Sequence, residues 1–199
     1  MRIYGLTGGT GSGKSEAASR FATHGFPIID ADAAGHEVIA PGGAAEKAVI
    51  DTFGPGILTD GAVDRVKLGA QVFRNDEARK KLNAIVHPAI GMAIAMRCAA
   101  LAEDHDLVII DAALIAENGK KEEYLSGLIL VLCPDNLRVQ RLVAHRGSDE
   151  AEARRRIAAQ TPPEKKLALA DWVIDNSGSI DALHARVDEI AEELKTHAG

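Results

Sequence analysis

Residues 8–15 read Gly8-Gly9-Thr10-Gly11-Ser12-Gly13-Lys14-Ser15 and match every fixed position of the phosphate-binding pattern G-x-x-x-x-G-K-[ST]. An apolar run, Ile3–Thr7, precedes this stretch, and Glu16–His24 after it is predicted to be a helix. Strand, glycine loop and helix in this order surround phosphate with backbone N–H groups and the positive end of a helix dipole. The pattern therefore predicts nucleotide binding, with Lys14 bridging the terminal phosphates and the Ser15 hydroxyl ligating Mg²⁺. The alternative is a glycine-rich turn that only connects a strand to a helix.

Length and composition predict one globular α/β domain with an inserted subdomain. The chain has 199 residues, 46% of them hydrophobic, and a net charge of −6, which argues against an electrostatic nucleic-acid or membrane partner. Cys98 and Cys133 lack metal-ligand spacing and are expected to be buried and reduced. No uninterrupted apolar run reaches membrane-spanning length, so we expect a cytoplasmic protein without an obligate protein partner.

Five short apolar runs predict the strands of a parallel sheet. Several of them are nearly continuous rather than alternating, which is typical of strands buried on both faces by helices. Together with the loop they predict a three-layer P-loop fold. The runs are Arg2–Leu6, Pro27–Ile29, Leu107–Asp111, Leu128–Cys133 and Trp172–Ile174.

The long interval after the second run predicts a helical insertion that binds the acceptor, at about residues 33–102. It contains a turn-rich stretch, Phe53-Gly54-Pro55-Gly56, and a helix from about Asp76 to Ala102 that Pro88 is expected to kink or break. The core is then about residues 1–32, 103–136 and 168–199, with a lid at about 137–167. A terminal helix, Ile180–Lys195, carries an apolar stripe and is predicted only to pack.

Acidic residues follow two of the predicted strands. The second run ends in Ile29-Asp30-Ala31-Asp32, and strand periodicity would point both carboxylates into one cleft, where one could accept a hydroxyl proton. For Asp30, capping of the next helix is equally compatible with the pattern. Leu107–Asp111 has the form of a Walker B strand, so Asp111 is predicted to hold Mg²⁺ directly or through water.

Basic residues follow the fourth run. Arg138 and Arg141 share a helix face, and Arg146 precedes a break at Gly147-Ser148. Two interpretations remain open, a mobile lid over the transferring phosphoryl group or a solvated helix face. The triplet Arg154–Arg156 is instead predicted to form surface pairs with the acids four residues before it, Glu150 and Glu152.

Beyond the loop, a series of motifs resembles the dephospho-coenzyme A kinase family nearly end to end. The specific ones are Ile29-Asp30-Ala31-Asp32, His87-Pro88, Gln140-Arg141-Leu142 with Arg146, and Ala170-Asp171 with Asn176. The resemblance also includes Asp64-Arg65, Lys67-Leu68-Gly69, Phe73, Leu114, Glu117 and Gln160.

The resemblance implies transfer of the ATP γ-phosphate to the ribose 3′-hydroxyl of dephospho-coenzyme A, the final step of coenzyme A synthesis. It implies that Asp32 is the base or hydroxyl-orienting group and that Arg65 and His87 lie in the acceptor region, where Asp111 also contributes. Lys14 and Arg141 are implied as catalytic groups. Arg141 and Arg146 are implied to lie near the nucleotide phosphates, and Asn176 and Glu16 in the ATP site.

Two departures from the family pattern stand out. Glu16 occupies a position where the family usually has Ser or Thr, so a carboxylate sits near the polyphosphate unless it turns away. After Asp111 the family commonly has D-x-P-L-L-F-E, whereas this chain has Ala113 and Ala116 in place of the proline and the aromatic residue. We expect the second departure to alter the acceptor pocket without removing a catalytic group.

Two rival functions are compatible with a phosphate loop. One is a kinase of the same fold acting on a nucleoside monophosphate or a sugar acid, and the other is a nucleotide-dependent switch that makes no phosphorylated product. The carboxylate at Asp32 and the predicted basic lid favour an acceptor kinase over a switch.

Overall fold

The computed structural model describes residues 1–72, 75–113, 115, 120–146 and 149–196, without the side chains of His145 and Arg146. The chain forms two compact units, Met1–Ile29 with Leu101–Gly199 and, separately, Asp30–Ala100. The strands are β1 Arg2–Gly8, β2 Ile28–Asp30, β3 Leu58–Thr59, β4 Ala62–Val63, β5 Leu107–Asp111, β6 Gly127–Leu132 and β7 Trp172–Asp175. The helices are α1 Lys14–Thr23, α2 Ala31–Glu37, α3 Glu46–Phe53, α4 Arg65–Val72, α5 Asp76–Leu101, α6 Asp135–Arg146, α7 Glu150–Ala158, α8 Pro163–Leu167 and α9 Ile180–Thr196.

The predicted five-stranded parallel sheet is confirmed, with the order β2-β5-β1-β6-β7. The central strand β1 pairs with β5 on one side and β6 on the other, and β6 pairs with β7, all in parallel. Strand β5 is buried along its whole length, as a strand covered on both faces requires. In this register the carboxyl ends of β1 and β5 lie side by side, the usual ligand-binding edge of an open α/β sheet.

The core of the first unit lies between the sheet and the helices α1 and α9. The predicted apolar stripe of α9 is confirmed, because Leu183, Val187, Ile190 and Leu194 are all buried. Phe21 of α1 is also fully buried in the same cluster. Burial of five such side chains contributes on the order of 10 kcal/mol before chain entropy is subtracted, and it fixes α1, the helix that begins at the phosphate loop.

The second unit, Asp30–Ala100, is mostly helical, but the turn-rich stretch also forms a short antiparallel hairpin, β3–β4, that the sequence analysis did not predict. Asp60 and Gly61 connect its strands, both with positive φ. Helix α5 runs without interruption through Pro88, so the prediction of a break there is wrong. A small core of Val49, Ile57 and Leu68, with partly buried neighbours from α5, holds the unit together.

Helix α5 is also apolar enough to be compared with a membrane span. Its richest 18-residue window has a mean hydropathy of 1.6 and is 6% buried, so by length and composition alone it meets the criterion for crossing a bilayer. The prediction that no apolar run reaches this length is a narrower one and is not contradicted, because polar residues such as Asn83 and His87 interrupt α5. Six of its apolar side chains pack against the core of their own unit, namely Leu82, Ile85, Val86, Ala89, Ile90 and Ala93. One face of α5 is thus used in the fold.

Candidate active site

The loop between β1 and α1 has the backbone of a phosphate cradle. Gly11 and Gly13 have φ of 77° and 93°, a region that residues with a Cβ disfavour. Gly13 is the N-cap of α1 and brings no side-chain hydrogen bond to that end. The first-turn N–H groups of Lys14 and Ser15 have no intrahelical acceptors, and they lie at the positive end of the helix dipole. This helix start is therefore suited to bind anionic oxygens.

Two side chains that are distant in sequence hold the loop at Thr10. Arg138 Nε donates to the Thr10 carbonyl at 2.9 Å, and the Thr10 N–H donates to Gln160 Oε1 at 2.9 Å. Arg138 Nη2 donates to the same Gln160 oxygen at 2.5 Å, and Arg138 Nη1 donates to Asp135 at 2.8 Å. We call Thr10, Arg138 and Gln160 the loop clamp. Because Arg138 is only 5% exposed, the interpretation of a solvated helix face is wrong for this residue.

A second pair of side chains holds the loop at Ser12. Asn176 Nδ2 donates to the Ser12 carbonyl at 2.7 Å, and Arg141 Nη2 donates to the Asn176 carbonyl and to Oδ1 at 3.2 and 3.3 Å. A Cβ at Gly13 would lie 2.0 Å from Asn176 Nδ2, so the close contact requires glycine. The carbonyls of Thr10 and Ser12 are thus both engaged by amide or guanidinium donors, which reduces their repulsion of a bound anion.

Lys14 and Asp111 form an ion pair at the carboxyl edge of the sheet. Both side chains are largely buried, and Asp111 lies opposite Leu6 in the β1–β5 pairing, which brings it beside the loop. Asp111 and the hydroxyl of Ser15, the residue that follows Lys14, are hard oxygen donors of the kind that Mg²⁺ binds. Within the described residues, no three His, Cys, Asp or Glu side chains form a metal-binding group, so a Mg²⁺ held by these two donors would need oxygens from phosphate and water.

Glu16 turns towards α9. Its Oε1 lies 2.7 Å from Nε2 of His184 on α9, and its N–H donates to the Gly13 carbonyl at 3.1 Å. The carboxylate is half-exposed and the histidine side chain is 28% exposed. The departure from the family pattern at Glu16 therefore coincides with a specific partner that the sequence analysis did not identify.

Lys166 is a buried cation that the sequence analysis missed. It lies in α8, is 3% exposed and donates to the Ala113 carbonyl at 3.0 Å. The Thr7 hydroxyl donates to the same carbonyl at 3.3 Å. The segment after Asp111 is therefore held by β1 and α8, although it lacks the proline of the family pattern. Lys166 follows Lys165 in a polar stretch of sequence, which gives no indication that its side chain is buried.

In the second unit, Asp30 and Asp32 do not share a strand. Strand β2 ends at Asp30, and Asp32 is an exposed residue in the first turn of α2. Asp30 is the N-cap of α2, where its Oδ1 accepts the Ala33 N–H at 2.9 Å. The expectation that strand periodicity aligns the two carboxylates is wrong, because the helix begins one residue after Asp30. The capping alternative for Asp30 is confirmed.

The other two candidates in this unit, Arg65 and His87, are exposed on helices. Arg65 is the first residue of α4, whose start is fixed by Asp64. The Thr59 hydroxyl donates to Asp64, as do the N–H groups of Lys67 and Val66, and these hydrogen bonds lower the pKa of the Asp64 carboxyl. His87 lies in the uninterrupted helix α5.

The remaining predicted residues are surface ion pairs, two cysteines, and several candidates that lie outside the described part of the chain. The surface pairs are confirmed, since Arg154 lies 2.7 Å from Glu150 and Arg156 lies 2.7 Å from Glu152. Cys98 and Cys133 are free and buried, and burial raises the pKa of both thiols. The candidates that lie outside the described residues or side chains are Arg146, Phe73, Leu114, Ala116 and Glu117.

Comparisons with known proteins agree over nearly the whole chain. A family model described as CoaE, dephospho-CoA kinase, matches residues 2–182. The chain is 43% identical over 196 residues to a dephospho-CoA kinase of Thermobifida fusca, covering 98% of this chain and 97% of the relative. It is 39% identical over 201 residues to one of Anaeromyxobacter dehalogenans, covering 100% and 95%.

Solved structures have the same fold. The chain is similar to TT1252 from Thermus thermophilus, with a TM-score of 0.85, 33% identity and 97% of each chain covered. It is also similar in fold to a dephospho-CoA kinase from Campylobacter jejuni, with a TM-score of 0.74, 24% identity and 100% of each chain covered.

Proposed function

The chain belongs to the dephospho-CoA kinase family, and from this premise we propose that it transfers the γ-phosphate of ATP to the ribose 3′-hydroxyl of dephospho-CoA. The hydroxyl oxygen forms the new bond to the γ-phosphorus as the bond to the ADP oxygen breaks, and the products are coenzyme A and ADP. The observation that carries the proposal is a phosphate loop held at Thr10 and Ser12. Lys14, where the loop meets α1, is paired with Asp111.

The donor half consists of the loop and the side chains beside it. Residues Gly8 to Ser15 bind the ATP phosphates, and Lys14 stabilises the charge that develops on the transferred group. Ser15 and Asp111 would hold a Mg²⁺ ion, which would supply further charge neutralisation. Phosphoryl transfer requires positioning rather than covalent chemistry from the protein, and a loop fixed before ATP arrives supplies that positioning.

Arginines from the lid, at about residues 137–167, complete the nucleotide site. Arg141 and Asn176, the second of which lies outside the lid, are placed near the phosphates. Their contacts with each other and with the Ser12 carbonyl of the loop support this role. Arg146 contributes a further cation, a role that rests on the family resemblance. These groups exclude water from the transferred phosphoryl group and so limit hydrolysis of ATP.

The acceptor half is the Asp30–Ala100 unit. Asp32 accepts the proton of the attacking hydroxyl or orients it, and its position in the first turn of α2 supports an accessible carboxylate there. Arg65 and His87 bind dephospho-CoA, and Arg65 suits the anionic phosphates of that molecule. We further propose a cytoplasmic location, since both substrates are soluble metabolites.

Acceptor choice tests the proposal. ADP release is measured with Mg²⁺ and ATP in the presence of dephospho-CoA, AMP, shikimate or gluconate, each offered separately. We expect release to depend on dephospho-CoA and to be close to background with the other three. Equal release with every acceptor, or without one, would contradict the kinase assignment. Preference for another acceptor would place the chain with a different small-molecule kinase.

A further inference from the structure

A ladder of polar side chains joins α1 to α9 and begins next to the phosphate loop. Glu16 and Arg20 of α1 and His24, the C-cap residue of that helix, follow one another at four-residue spacing and so lie on one side of it. Glu16 meets His184 at 2.7 Å, and Arg20 binds Asp188 through two hydrogen bonds of 2.7 and 2.6 Å. His24 Nε2 lies 2.7 Å from the same Asp188 carboxylate. The ladder ties the helix that carries the loop to a helix anchored in the core.

Glu16 is the member of this ladder that directly follows the phosphate loop. A carboxylate in the first turn of α1 competes with phosphate oxygens for the same N–H groups and the same helix dipole. It also repels the phosphates, by an amount that depends on its distance from them and on screening. The contact with His184 directs the carboxylate towards α9 and places a hydrogen-bond donor between the two helices.

We propose that His184 is a positioning residue for the nucleotide, which acts by holding the Glu16 carboxylate away from the ATP phosphates. The inference rests on the proposed function for the identity of the ligand, a nucleoside triphosphate. It explains how this chain accommodates an acid where the family pattern has a small hydroxyl residue. His184 touches neither substrate in this account and acts only through Glu16.

The test is a double-mutant cycle read as the dissociation constant of MgATP by calorimetry. His184→Ala frees the carboxylate and raises that constant about two- to fivefold, the range expected for an exposed polar pair. Glu16→Thr lowers the constant relative to the native chain. In the Glu16→Thr background, His184→Ala has no further effect, because the group it controls is gone. His184→Gln retains an N–H donor and restores most of the native affinity.

A matched control separates positioning from structural support. His24→Ala removes a histidine from the same ladder two turns further from the loop, and we expect MgATP affinity to stay within twofold of the native value. A His184→Ala effect of equal size in both Glu16 backgrounds would overturn the proposal, as would an equal loss with His24→Ala. The cycle needs no turnover, so failure of dephospho-CoA to support ADP release refutes the function and leaves this result intact.

Discussion

The phosphate loop and the Asp30–Ala100 unit present their candidate functional side chains in opposite ways. At the loop, Arg138 and Lys14 are largely buried, and each is held by a partner from another part of the chain. In the Asp30–Ala100 unit, Asp32, Arg65 and His87 are all exposed on helices. On the proposed function, we therefore expect a donor side that is organised before the ligand arrives and an acceptor side that gains its contacts on binding.

Removing the proposed base should have the largest effect. Asp32→Asn keeps the size of the side chain and removes its basicity, so we expect kcat with dephospho-CoA to fall about 10²- to 10⁴-fold. The dissociation constant of MgATP, measured by calorimetry, should stay close to native because the loop is built elsewhere. Asp30→Asn is the matched control, since asparagine caps a helix as well as aspartate and activity should be retained. A kcat near the native value for Asp32→Asn would refute the assignment of Asp32.

The loop clamp should carry stability as well as affinity. Gln160→Leu leaves the Thr10 N–H and Arg138 Nη2 without their acceptor, and we expect a loss of about 1–3 kcal/mol in the free energy of unfolding. The Michaelis constant for ATP should rise in the same variant. Urea unfolding measures the first effect and steady-state kinetics the second.

The control for the clamp is an exposed pair in the same part of the chain. Arg154→Ala removes an exposed contact with Glu150, which should cost less than about 1 kcal/mol. Equal losses for Gln160→Leu and Arg154→Ala would show that burial does not distinguish the clamp from an ordinary surface pair.

On the acceptor side, loss of a single contact should be milder and selective. Arg65→Ala removes one exposed cation, and we expect the Michaelis constant for dephospho-CoA to rise about fivefold to tenfold while that for ATP stays constant. Lys80→Ala, at another exposed cation of the same unit, should change neither constant. A rise in the Michaelis constant for ATP alone would contradict this role and would show that Arg65 contributes to ATP binding instead.

The smallest effect concerns acid stability at the α1–α9 ladder. Hydrogen bonds from Arg20 and His24 lower the pKa of Asp188 well below its ordinary value of 3.8. A carboxyl whose folded pKa is depressed stabilises the fold above its unfolded pKa, and this stabilisation is lost as the pH falls towards the folded pKa. Urea midpoints should therefore decline from about pH 5 downwards in the native chain and less steeply in Asp188→Asn. Parallel declines would exclude Asp188 as a source of the pH dependence.

Much of the fold follows from local patterns. The strands β1, β5, β6 and β7 are apolar runs, and the α9 stripe repeats at helical spacing, so the sheet and its main covering helix are predictable. The hairpin β3–β4 is not, because strands of two residues carry too little periodicity to be recognised. Asp32 shows a similar limit, since a helix that begins one residue after a strand changes which side chains share a face.

The candidate site is predictable where a motif is local and not where it depends on distant contacts. The loop residues are recognisable from eight consecutive positions, but Arg138 and Gln160 reach Thr10 across 128 and 150 residues of sequence. The pairing of Glu16 with His184 spans 168 residues. Its one signal in the sequence is the matching four-residue spacing of polar side chains on α1 and α9, which becomes meaningful only once the two helices are known to pack together.

Phosphoryl transfer to dephospho-CoA can be followed directly through the phosphate itself. ATP labelled in its γ-phosphate is incubated with Mg²⁺, dephospho-CoA and the full chain, and the product is analysed by mass spectrometry and ³¹P NMR. We expect the label to appear as one new phosphate on the ribose 3′-oxygen, with one ADP formed for each. Label recovered as inorganic phosphate, or at another position of the acceptor, would contradict it.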